Sequence, residues 1–316
     1  MQSTEFQHRF AGGAQALVRS WAPDGDVRWI VQIIHGMAEH SARYARLGRA
    51  LTDAGCAVYA HDLPGHGPQA QPDLRGHFGD RHGWRVALSS IRDVQRAAQR
   101  EHPGRPLVML GHSMGSFLLQ DYVVDCGDSL AGAVFSATSG DLGALRKVGL
   151  TLVRLEAALY GVRHPSAVGE ALSFKSFNRR FRPARTPFDW LSRDSAEVDR
   201  YVEDPHCGFR VSTGLWIELL EVGGRLTEPK RLRRIPKSLP VLMIAGEHDP
   251  VSAGERGPRA LERKYLQCGL RDVSVRVYPE ARHELFNDLC RDEVTRDLLA
   301  WIENRLAPAV SAKQKS

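Results

Sequence analysis

Residues 111–115 read Gly-His-Ser-Met-Gly, with the apolar run RPLVML before them and SFLLQDYVVD after them. A serine between two glycines, where a buried strand passes into a helix, is the pattern of a nucleophile elbow. The turn is so tight that the residues two before and two after the serine approach each other. Gly111 and Gly115 leave the space for that approach. The Ser113 hydroxyl is then pushed out above the carboxyl ends of the strands, over the positive end of the helix dipole. The five-residue pattern recurs by chance; a strand before it and a helix after it make it specific.

Serine at its own pKa is a poor nucleophile and needs a base that an acid orients. With an elbow serine the partners follow in the order acid, then histidine, each after a later strand. PVLMIAGEHD (240–249) reads as a strand followed by Asp249, with Glu247 two residues earlier as the competing acid. VSVRVYPEARHE (273–284) supplies His283 just past the last strand. The developing oxyanion needs two backbone donors. One is the N–H of Met114, next to the nucleophile. The other is expected in the loop after an early strand, where IIHGMAEH (33–40) offers Met37 beyond the turn at Gly36.

Six short apolar runs must position these groups: 27–34, 56–60, 106–110, 130–137, 240–245 and 273–278. They are rich in Val and Ile, as strands buried on both faces are. Amphipathic stretches over 42–55, 83–103, 114–125 and 291–306 predict helices between and after them. Alternating strands and helices mean a mostly parallel sheet covered on both faces. Residues 4–23, around Gly12 and Gly13, predict an antiparallel hairpin before that sheet. The alternation breaks at 139–236, which reads as a helical lid. The expected organisation is therefore a core of 1–138 and 237–308, a lid of 139–236 and a frayed tail of 309–316.

Composition bounds the remaining possibilities. The chain has 316 residues, 42% apolar and 25% charged, the values of an ordinary soluble protein. Its net charge of +6 arises from 43 Lys and Arg against 37 Asp and Glu. KRLRR (230–234) and NRRFRPAR (178–185) hold much of the surplus and read as solvated loops or as contacts to an anionic lipid surface. No aromatic-interleaved basic module points to nucleic acid. Five scattered cysteines, none in a C-x-x-C pair, suggest reduced, mostly buried thiols in the cytoplasm. There is no signal-peptide pattern and no run long enough to span a bilayer.

HGMAEHSARY (35–44), AHDLPGHG (60–67), GHSMG, GEHDPV (246–251) and ARHELFND (281–288) together resemble the monoacylglycerol lipase and lysophospholipase group of α/β-hydrolases. The resemblance runs from about residue 10 to residue 305 and is loosest in the lid, which looks more like that of bacterial members. It implies an α/β-hydrolase fold, a triad of Ser113, Asp249 and His283, and an oxyanion hole at Met37 and Met114. It further implies a cap and hydrolysis of single-chain acyl esters with no cofactor.

Other readings stand beside this one. His35, His40, His61, His66, His77 and His82 crowd the first third of the chain with Asp62, yet lack the close spacings of zinc hydrolases. His35, His66, Asp62 and Gly65–Gly67 read as loop-ordering residues, and His112 as a substrate contact or a side chain pointing away. The apolar positions 142, 145, 148, 152, 155 and 159 share one helical face, which is either lid core or a membrane-touching surface. Trp190, Tyr201 and Trp216 read as core or pocket wall. A peptidase of the same fold would need an acidic site for the substrate amine; a non-catalytic ligand-binding homologue would need no working triad.

Overall fold

The six apolar runs become six neighbouring strands of one sheet, each ending within two residues of its expected bounds, in a computed structural model that describes residues 2–9, 15–140 and 145–313. In chain order the first half is β1 (Gln2–Arg9), β2 (Gln15–Ala22), β3 (Trp29–Ile34), α1 (Ala45–Asp53), β4 (Cys56–His61), α2 (Gly83–Glu101), β5 (Leu107–His112), α3 (Met114–Cys126) and β6 (Gly132–Ser136). Six helices follow: α4 (Leu145–Tyr160), α5 (Ala167–Leu172), α6 (Phe174–Asn178), α7 (Ser195–Glu203), α8 (Thr213–Gly223) and α9 (Pro229–Leu232). The chain then returns to the sheet with β7 (Val241–Gly246), α10 (Arg256–Gln267), β8 (Val273–Tyr278) and α11 (Arg291–Lys313).

The eight strands lie in the order β1-β2-β4-β3-β5-β6-β7-β8. β1 and β2 pair antiparallel, and β2 pairs antiparallel with β4; every later pairing is parallel. The expected hairpin is therefore present as a strand pair, while Gly12 and Gly13 lie outside the described residues. β3 to β7 are buried along their whole length. Successive residues of β3 serve opposite faces: Ile30 and Ile34 pack with Ile91, Val94 and Leu118, whereas Val31 and Ile33 pack with Leu47, Leu51, Leu298 and Ile302. This two-sided burial explains why the runs are continuously apolar rather than alternating.

Three expectations need correction. β8 is not buried on both faces: it closes the sheet as an edge strand, with Arg276 exposed. The last helix does not stop at 306 but continues to Lys313, so helix occupies part of the expected frayed tail. The cysteines are all unpaired, but only Cys56 and Cys207 are buried; Cys126, Cys268 and Cys290 are half-buried.

Candidate active site

Parallel strands bring their carboxyl ends to one edge, and four of the connections leaving that edge carry the expected residues. Ser113 sits between β5 and α3 at φ +52°, a backbone conformation that non-glycine residues rarely adopt. Its N–H donates to Ser136 O at 2.9 Å, tying the elbow to the end of β6. A side chain at position 111 would collide with the Gly115 carbonyl, and one at position 115 with the carbonyls of Ile34 and His35. The two glycines are thus required by close backbone approach.

Asp249 follows β7 and His283 follows β8. The His283 Nδ1–H donates to Asp249 Oδ1 at 2.8 Å, and both side chains are buried. The amides of Val251 and Ser252 also donate to Asp249, at 2.9 and 3.3 Å. Burial works against the Asp249 carboxylate, but the His283 imidazole, Ser252 and Val251 outweigh it and hold its pKa below the ordinary value. Glu247, the competing acid, instead accepts the Glu280 N–H at 2.9 Å. Two rings flank the His283 imidazole: Trp190 at 4.7 Å and His112 at 4.8 Å between centroids. Burial first, and then His283, push the His112 imidazole down to about 4. It therefore packs as a neutral ring, with Nδ1 3.3 Å from Ser136 Oγ.

The loop after β3 is held by an ion-pair network absent from the sequence reading. Glu39 Oε1 accepts from the Gly36 N–H at 2.6 Å and from the Tyr44 hydroxyl at 2.9 Å. Glu39 Oε2 accepts from Arg43 at 2.9 Å, and Arg43 also makes two 2.6 Å bonds to Glu284, the neighbour of His283. Burial opposes the Glu39 charge, yet Arg43, His112, His35 and the Gly36 amide keep its pKa well below the usual carboxylate range. The one available signal was the four-residue spacing of Glu39 and Arg43 within HGMAEHSARY; Glu284 lies 241 residues beyond Arg43 and gave none. Among the described residues, neither the Met37 nor the Met114 N–H donates to a loop or turn carbonyl. Met114 opens α3, where the first amides have no helical acceptor.

Ser113, Met37 and Met114 line one cavity of about 380 Å³. Its other walls come largely from the β6–β7 connection and are mainly apolar, with Val148, Val153, Leu172, Phe174, Trp190 and Trp216 beside Arg146. Ser113 and His283 also line a smaller adjoining recess with Glu39, Tyr201 and Glu284. Trp190 and Trp216 are thus pocket wall, and Tyr201 lines the recess with its hydroxyl donating to Ala38 O at 2.9 Å. A larger, open cleft of about 1080 Å³ lies near Arg180, Arg256 and Arg282, but it contains neither Ser113 nor His283.

The face of α4 bearing Val148, Leu152, Leu155 and Leu159 is not packing core: these four are 41–76% exposed, and the inward face carries Val153. Residue 142 lies outside the described residues, as does the side chain of Leu145. The histidines of the first third serve separate hydrogen bonds. His35 accepts the Leu63 N–H, His61 meets Ser90, His66 meets Pro64 O, and His77 meets Ser212. Asp62 accepts from Ser41 and pairs with Arg19.

Residues 25–290 match the model of the family described as serine aminopeptidase, S33. The chain belongs to this family of α/β-hydrolases. It is 30% identical to the monoacylglycerol lipase of Mycolicibacterium smegmatis over 97% of this chain and 100% of that one. It is 27% identical to the human monoglyceride lipase over 96% of this chain and 91% of that one. The fold superposes on a thermostable carboxyl esterase from Bacillus coagulans, solved with glycerol, at a TM-score of 0.86 and 27% identity, covering 96% of this chain and 99% of that one. The fold class and the family resemblance expected from the sequence are both borne out. Among the described residues, no helix is long and apolar enough to cross a membrane.

Proposed function

We propose that the protein hydrolyses carboxylic esters of single acyl chains, of the monoacylglycerol type, through an acyl-enzyme on Ser113. The carrying observation is that the elbow serine lines both a mainly apolar cavity and an adjoining recess bordered by His283, whose imidazole is hydrogen-bonded to the buried Asp249. Ser113 Oγ attacks the ester carbonyl while His283 Nε2 takes its proton. Asp249 fixes the Nδ1–H tautomer and stabilises the imidazolium. The N–H groups of Met37 and Met114 receive the oxyanion. His283 then protonates the departing alcohol, and water repeats the sequence to release the acid. The apolar cavity holds the acyl chain, and its volume lies within the ~300–1,000 Å³ of common ligand sites.

Residues 139–236 act as a lid in this reading. The exposed face of α4, with Lys147 and Arg154 beside it, suits contact with a micelle or membrane that carries the substrate. The unpaired cysteines suit a reducing cytoplasm. The family description keeps an aminopeptidase reading in view, but it needs an unpaired carboxylate for the substrate amine. The two carboxylates that line the recess beside Ser113, Glu39 and Glu284, are both paired with Arg43. A panel of monoacylglycerols, lysophospholipids, short aryl esters and aminoacyl-amides tests the assignment. Turnover of monoacylglycerols is expected; release of amino acids from the amides without ester turnover would overturn it.

A further inference from the structure

His40 lies three residues beyond Met37, and Asp204, His206 and Cys207 lie on the turn that follows α7. His40 Nε2 is 2.8 Å from Asp204 Oδ2. One ligand-type atom from each of His40, Asp204 and Cys207 lies within 4.8 Å of the others. The His206 ring stands 6.0 Å from that of His40 and nearly perpendicular to it, at 84°. Two buried ring nitrogens here, Nδ1 of His40 and Nδ1 of His206, have no hydrogen-bond partner. His40 is only 6% exposed and Cys207 9%. A buried polar atom without a partner costs free energy and calls for an explanation.

We propose that His40, Asp204 and Cys207 bind a thiophilic divalent cation of the zinc class. Imidazole, carboxylate and thiolate are the donors such an ion takes, whereas calcium and magnesium select oxygen alone. Zinc bond lengths place ligand atoms on one tetrahedral ion roughly 3.3–3.8 Å apart, so small side-chain rotations close the set. Asp204 and a Cys207 thiolate balance the double charge. Burial holds the Cys207 thiol well up, so metal binding displaces its proton to solvent as the metal–sulfur bond forms. The nearby Arg43 cation is already compensated by Glu39 and Glu284. A cavity of about 280 Å³ opens beside the site, bordered by His40 and Asp204 and by three arginines, Arg43, Arg46 and Arg200, whose charges are paired with Glu39, Glu284 and Glu197.

Such an ion would join the loop carrying Met37 to the β6–β7 connection, reinforcing the Gly208 N–H bond to Ala38 O at 3.0 Å. The site is independent of the role given to Ser113. Its ligands are invisible to spacing rules because His40 and Asp204 are 164 residues apart.

Titration of the metal-free full-length protein with Co²⁺ tests this. One equivalent should produce a thiolate-to-cobalt charge-transfer band in the near ultraviolet, removed by one equivalent of Zn²⁺. The band should vanish in Cys207→Ser and persist in Cys268→Ser. A band that survives in folded Cys207→Ser, or none in the wild-type protein, would overturn the site. Should Cys207→Ser fail to fold, X-ray absorption of the zinc-loaded wild-type protein decides. One sulfur at about 2.3 Å with nitrogen or oxygen at about 2.0–2.1 Å supports the site, and a shell without sulfur refutes it.

Discussion

On one side of Ser113, the groups that would handle protons are locked. His283 and Asp249 are bonded to each other, Glu39 holds the Gly36 amide, and Arg43 spans Glu39 and Glu284. On the other side, the cavity wall is mainly apolar side chains from α4, α5, α6 and α8, with Arg146 among them, and the outer face of α4 is uncovered. The polar side must hold each atom within a few tenths of an ångström, because proton transfer and oxyanion binding depend on direction. The apolar side needs only shape and the exclusion of water, which many residue combinations supply. Substitutions should therefore separate the two sides by what they change: rate on one, choice and delivery of substrate on the other.

The largest effect expected on the polar side, apart from loss of the nucleophile, is that of Asp249→Asn. It keeps the shape but supports the wrong histidine tautomer, and kcat should fall by about 10⁴. Glu247→Gln should stay within about threefold, since Glu247 binds only the Glu280 amide. Steady-state kinetics on a soluble ester compares them, and a reversed ranking would move the acid to Glu247. Next comes Glu39→Ala, which frees the Gly36 amide and the loop bearing Met37. A fall in kcat of about 10² with little change in KM is expected, in line with the loss of one oxyanion donor; a change confined to KM would place Glu39 outside this positioning role.

Acid should weaken the polar framework before it affects the apolar wall. Burial holds the imidazoles of His61 and His66 down to about 3 and that of His112 to about 4, from 6.5 when unfolded. Below pH 6.5 the unfolded chain binds these protons and the folded chain does not. Stability is therefore full above that pH and is lost as pH falls toward the folded values. At pH 5.5 the three together account for about 4 kcal/mol. Melting curves from pH 7.5 to 5.5 check this; a flat Tm would contradict neutral burial of these rings.

The smallest and most selective effect is expected at Leu152, which is 41% exposed on α4. Leu152→Asp should change stability by about 0.5 kcal/mol or less and leave a soluble acetyl ester unaffected. Turnover of a micellar monoacylglycerol should drop about tenfold if this face meets the micelle. Equal effects on both substrates would remove micelle contact from the role of this face.

What could be read from the sequence follows the same division. Strands buried on both faces announce themselves as apolar runs, and the carboxyl end of each run marks where a catalytic loop begins; hence GHSMG, GEHDPV and ARHELFND could be placed in order. β8 misled because an edge strand can be as rich in Val as a central one. The Arg43–Glu284 pair and the meeting of His40 with Asp204 join residues far apart in the chain, and no local pattern encodes them; only the Glu39–Arg43 spacing was local. For α4, periodicity identified an apolar face at Val148, Leu152, Leu155 and Leu159. Periodicity cannot say whether another helix or solvent covers that face.

The nucleophilic role of Ser113 is the centre of this account, and covalent labelling tests it most directly. A fluorophosphonate should add one equivalent to the native protein, on the peptide that contains residues 111–115. Folded Ser113→Ala should take up no label and lose ester turnover by about 10⁴ or more. Stoichiometric labelling of another serine, or a Ser113→Ala variant that keeps a tenth of the wild-type rate, would contradict the account.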